Sequence, residues 1–219
     1  MLALSTNTLI GVIGRTAGHS EVETILAELK SRNDLVNLNP VRQVALDSTR
    51  PNGIRQAAVE LATDRNATET IRWYAEQAES LFAPPHIRQR AIQALAWCRH
   101  PAETLRIIER IAAQHGDSEV RVTAIRTVAS FRNVRSVALL LRLTRERDIA
   151  VADEAQAGLD LIFRTYAGVT GVVNKLKMRA EELASKGQKS AALSVLDTAR
   201  ELSPADGTVR SSIARLRAA

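Results

Sequence analysis

The sequence predicts an all-α fold, a right-handed solenoid of stacked helical hairpins. A helical motif returns at near-constant spacing: Ile54, Ile87, Val120 and Val151 each open a copy, 33, 33 and 31 residues apart. Alanine occurs 34 times while aromatics make up 3% of the chain, a balance that suits closely packed helices and not a β-sandwich. Turn-forming residues fall between the periodic segments, at Pro84-Pro85, Pro101, Gly116-Asp117 and Asp148.

At the N-terminus, "LALSTNTLIGVIG" is mildly apolar but too short to span a bilayer. Arg15 follows it and no basic segment precedes it, so a signal peptide is not expected. Residues Thr6 to Arg15 are expected to form the first helix of a degenerate repeat, residues 1–35. Val22, Leu26 and Leu29 in "SEVETILAEL" supply its second helix, 32 residues before Ile54.

From residue 36 the period is clear. Four positions after each anchor stand Ala58, Ala91, Ala124 and Ala155, followed by Leu61, Leu95, Val128 and Leu159. Spacings of i, i+4 and i+7/8 describe one helical face, and the repeated alanine implies close contact with another helix at that height. Between these second helices lie first helices with the same periodicity. "AETLRIIERIAAQ" offers Leu105, Ile108, Ile111 and Ala112, and "VRSVALLLRLTRER" offers Val137, Leu140, Leu141 and Leu143. Asp117 and Asp148 precede their anchors by three residues, as N-caps do, and Pro101 suits a first turn. No single hairpin can hide its apolar face, so such units stack.

These residues resemble bacterial HEAT-like repeats, in which a turn aspartate leads a second helix of the form apolar-Arg-x-x-Ala-x-x-x-Leu. "HIRQRAIQAL" and "SEVRVTAIRTV" match most fully, "NGIRQAAVEL" matches well, and "DIAVADEAQAGL" lacks the arginine. The repeats are assigned to residues 36–167. After "RTYAGVTGVV" the spacing changes, and Ala180, Leu183, Gly187, Ala192, Leu196, Ala199, Leu202 and Pro204 resemble a tetratricopeptide repeat. Residues 168–219 are therefore expected to form one such unit, with a capping helix carrying Val209, Ile213 and Leu216.

Charge is concentrated. Residues 88–147 hold twelve arginines against five acids, a surplus of +7 in a chain of net charge +6. At about 100° per residue, Arg55, Arg88 and Arg121 share one position on successive second helices. Arg99 and Arg132 lie eleven residues beyond Arg88 and Arg121, about 20° further round. Arg126 stands at the centre of the outer face. The candidate binding residues are therefore Arg88, Arg99, Arg121, Arg126 and Arg132; Trp97 is added as an aromatic candidate, with core or half-buried packing as its favoured alternative role. An anion track is one use, since arginine pairs bidentately with phosphate or carboxylate. The other is structural: the stem lies on the neighbouring repeat while the head bonds a turn acceptor. The HEAT-like pattern itself carries this arginine, which favours the structural use.

No catalytic residue is assigned. A phosphate loop is missing, since Gly11 and Gly14 lack the lysine and preceding strand. Cys98 and His100 have no second ligand pair, so no metal or cofactor is expected. Cys98 is the one cysteine, which excludes an intrachain disulfide and suits a cytoplasmic protein. The expected function is a non-enzymatic scaffold or adaptor for a protein partner of acidic or extended character, without membrane insertion. The alternative is nucleic-acid binding through residues 88–147, including the glycosylase-like activity that the HEAT-like resemblance admits. A cofactor-lyase subunit is a third use of such repeats.

Overall fold

A computed structural model describes residues 5–13, 18–32 and 37–218, apart from the side chain of Asn7. Gly14 and Arg15, which enter the N-terminal expectations, and the expected boundary between residues 35 and 36 lie outside them. All regular structure among the described residues is helical.

The chain divides into two compact units, residues 1–124 and 125–219, with the division inside one helix. The first unit contains α1 (Thr6–Ile13), α2 (His19–Ser31), α3 (Asn39–Leu46), α4 (Asn52–Arg65), α5 (Ala67–Glu79), α6 (Pro85–Trp97) and α7 (Pro101–Gln114). It also takes the first half of α8 (Ser118–Ser130). Consecutive helices pair, α3 against α4 and α5 against α6. Apolar residues of α1 to α4 share one core, including Ile13, Val22, Leu26, Leu29, Val41, Ile54 and Ala58.

The second unit holds the rest of α8, a short 3₁₀ turn (Val134–Ser136), α9 (Val137–Leu143), α10 (Ile149–Thr165), α11 (Val169–Ser185), α12 (Lys189–Leu202) and α13 (Gly207–Ala218). Here α9 packs on α10 and α11 on α12, while α13 lies against α12. The α11–α12 turn places Gly187 at φ 72°, a left-handed conformation that costs glycine nothing.

The repeated face is the buried face. Ala58, Ala91, Ala124 and Ala155 are fully buried, and so are Val120 and Val151. Ile87 differs from the other three anchors, for it is half-buried in the first turn after Pro84-Pro85. The segment 134–147 also departs from one continuous helix. It opens as the 3₁₀ turn, continues as a seven-residue α9, and leaves Leu141 half-exposed beside buried Val137, Leu140 and Leu143.

Candidate functional site

Two of the second helices, α8 and α10, begin at a turn aspartate, while α4 and α6 begin after Pro51 and Pro84 without a side-chain cap. Asp117 Oδ1 accepts from the backbone N–H groups of Glu119 (2.9 Å) and Val120 (3.2 Å). Asp148 Oδ1 does the same for Ala150 (3.1 Å) and Val151 (3.3 Å). Such caps satisfy amide donors that the first turn leaves without helical partners. The Asp117 cap also fixes where Arg121, the residue after the Val120 anchor, emerges.

The arginines that follow Ile54, Ile87 and Val120 turn inward. Arg55 is fully buried, and its Nε donates to the Ala45 carbonyl at 2.8 Å. Arg121 is half-buried, and its Nε donates to the Ala112 carbonyl at 2.9 Å. Ala45 and Ala112 both lie in the last turn of the preceding helix, α3 or α7, where carbonyls lack an amide partner. Each guanidinium thus caps the C-terminus of its partner helix and meets the negative end of that helix dipole. Arg88, 8% exposed, reaches instead to the next turn, where its Nη2 donates to Asp117 Oδ2 at 2.9 Å. Its Nε is buried without a hydrogen-bond partner among the described residues. Burial would raise the Asp117 pKa, but the Val120 amide, Arg88, the Glu119 amide and His115 together hold it below the ordinary 3.8.

The outer arginines are exposed and tied to acids. Arg99 (side chain 56% exposed) spans to Glu60 at 3.0 Å and Asp64 at 3.4 Å on α4. Arg126 (67% exposed) meets both carboxylate oxygens of Glu154 on α10. Arg132 stands in the turn after α8 with φ 50°, and its carbonyl accepts from the Tyr166 hydroxyl at 2.9 Å. Trp97 is half-buried, with the Arg55 guanidinium 5.2 Å from its ring centroid. Arg55 and Arg121 thus serve packing inside their hairpins and Arg88 ties its hairpin to the next turn, while Arg99, Arg126 and Arg132 remain at the surface.

Three features have no counterpart among the candidate residues. Arg42 on α3 is buried, with Nε donating to Thr70 Oγ1 and Nη1 to Asn39 and Glu69. Its segment "NPVRQVAL" parallels "NGIRQAAV" at residues 52–59, down to the asparagine three residues before each arginine, a signal that lies outside the 31–33-residue spacing. Leu81 and Phe82, in the α5–α6 turn, are 80% and 100% exposed. An apolar pair in a turn just before Pro84-Pro85 was a signal available in the sequence. Finally, Arg135 and Arg179 line one surface groove of the second unit.

Comparison with known proteins fits this architecture. The protein is all-helical and built from paired helices. Residues 79–160, under half of the chain, match the family model described as HEAT repeats, so that segment is similar to such repeats. No curated protein matches the sequence. Among the described residues no helix is long and apolar enough to cross a membrane. Nor does any group of three or more His, Cys, Asp or Glu among them stand where it could hold a metal ion.

Proposed function

We propose that the chain is a non-enzymatic scaffold whose helical repeats hold a partner protein. The observation that carries this is the Leu81–Phe82 turn, which lies within the segment matching HEAT repeats. Burying a leucine or phenylalanine side chain fully is worth about 1.5–3 kcal/mol, so an aromatic held wholly in water is a ready anchor. Stacked repeats build extended surfaces for such contacts. The basic middle of the sequence favours an acidic or extended partner.

Arg55, Arg88 and Arg121 belong to the scaffold itself, because their guanidinium groups are engaged within a hairpin or, for Arg88, with the turn of the next one. Arg99, Arg126 and Arg132, with the exposed edge of Trp97, are the candidate residues left for contact with the partner. Residues 36–167 are proposed as a right-handed solenoid of HEAT-like hairpins, after a degenerate repeat over 1–35. Residues 168–219 are proposed as a tetratricopeptide-like end. Gly187 at the α11–α12 turn and buried Ala180, Ala192 and Ala199 support that assignment.

The test compares wild type with Leu81→Ser/Phe82→Ser as bait in an extract of native cells, alongside titration with random-sequence DNA. The expected result is a discrete protein retained by wild type and lost by the variant, with no appreciable DNA affinity at physiological salt. DNA binding that weakens steeply with salt and ignores the Leu81–Phe82 change would replace the scaffold by a nucleic-acid binder.

A further inference from the structure

Within the second unit, the 3₁₀ turn and α9 pack against α11 and α12. They leave a groove of about 360 Å³, at the low end of the 300–1,000 Å³ range of ligand clefts. Its apolar lining comes from Val134, Leu176, Leu183 and Val195. Arg135 and Arg179 also line it, both half-buried, and none of the lining residues is acidic.

Most buried or bridging arginines of this protein have acceptors: Arg42 has Glu69, Arg88 has Asp117, Arg99 has Glu60 and Arg126 has Glu154. The guanidinium groups of Arg135 and Arg179 make no ion pair or hydrogen bond among the described residues. Arg179 is near enough to help lower the Glu182 pKa, but that carboxylate is bonded mainly to Lys186. A purely apolar occupant would strip water from two cations and return nothing. A carboxylate-bearing occupant would accept from both, since each guanidinium presents a planar fork of donors. The aliphatic floor adds a requirement that a sugar-phosphate backbone does not meet, namely apolar side chains beside the charge.

We propose that this groove is a docking site for an acidic peptide segment that places an aliphatic side chain on Leu176, Leu183 and Val195 and carboxylates on Arg135 and Arg179. The site deepens the scaffold assignment by giving the partner's chemistry at a second surface, distinct from the Leu81–Phe82 turn.

The experiment pans random-sequence peptides displayed on phage against the full chain. Enriched peptides are then titrated onto wild type, Arg135→Ala/Arg179→Ala and Phe82→Ser. Asp or Glu beside Leu, Ile or Val should be enriched. Binding should fall at least about tenfold in the double arginine variant, since each lost charge-assisted bond removes that much. Replacing the peptide's own Glu by Gln should weaken it as much, an arm that leaves the protein untouched should the alanine variant lose its fold. Phe82→Ser should change nothing. The proposal is overturned if acids are not enriched, if the arginine variant binds equally, or if acidic peptides without aliphatic residues bind as well. Displacement of the peptide by random-sequence DNA would overturn it too. Loss of peptide binding in Phe82→Ser would move the contact to the α5–α6 turn, ending this proposal while leaving the scaffold intact.

Discussion

Replacing Arg88 by alanine separates the two uses of the second-helix arginines. The side chain is 10% exposed and donates one charge-assisted bond, Nη2 to Asp117 Oδ2 at 2.9 Å. A bond to a charged group is worth about 1.5–3 kcal/mol. The two stem methylenes that alanine lacks add about 1.5 kcal/mol at about 0.8 kcal/mol each. Two effects work in the opposite direction. The stranded Nε vanishes, relieving about 1–3 kcal/mol of unsatisfied burial, and the Asp117 side chain, 29% exposed, can rehydrate. The net cost comes to about 2 kcal/mol, or a fall of about 4–8 °C in the unfolding midpoint for a chain of this size. Arg88→Met keeps the stem and removes both the bond and the stranded donor, so its cost should stay below about 1 kcal/mol. Thermal unfolding followed by circular dichroism measures both. An unchanged midpoint in Arg88→Ala would refute the packing role. Equal losses in the two variants would refute the share given to the stem.

Four further outcomes follow from the same geometry. Arg99→Ala and Arg126→Ala break exposed ion pairs and should each cost about 0–1 kcal/mol in the same melts, well short of Arg88→Ala. Gly171→Ala should destabilise by about 1–3 kcal/mol or more, because its Cβ would stand 1.6 Å from the Tyr166 carbonyl oxygen. Gly53→Ala, with open space around its Cβ in the first turn of α4, should stabilise by about 0.4–1 kcal/mol. Acid titration should remove stability as pH falls through the depressed Asp117 pKa: its folded value lies below the ordinary 3.8, so its contribution is whole above that value and lost on protonation. Arg88→Ala should flatten that part of the curve, and an unaltered slope would deny the pairing.

Much of the helical pattern was legible because burial and period coincide. The alanines four residues after each anchor are fully buried, and the aspartates three residues before Val120 and Val151 cap the helices there. The fate of the arginines was legible only in part. Periodicity puts Arg55, Arg88 and Arg121 on one edge, but it carries no information on which acceptor each finds. Arg55 and Arg121 take a carbonyl in the last turn of the preceding helix, while Arg88 takes a carboxylate in the following turn. Eleven-residue spacing also joined Arg132 to that edge, although it stands in the turn after α8, at φ 50°. Arg42 escaped notice because it stands 13 residues before Arg55, outside the 31–33-residue spacing, although "NPVRQ" returns as "NGIRQ". Arg135 and Arg179, which line one groove, stand 44 positions apart, a proximity that tertiary packing creates and spacing along one helix does not.

Photo-crosslinking from position 82 bears most directly on the protein-binding role. Phe82, wholly exposed, is replaced by a photoreactive phenylalanine analogue, and the full chain is irradiated in native cells. A protein-binding scaffold should give one discrete protein adduct that is lost when Leu81 is changed to serine. No adduct, or adducts with nucleic acid alone, would contradict it.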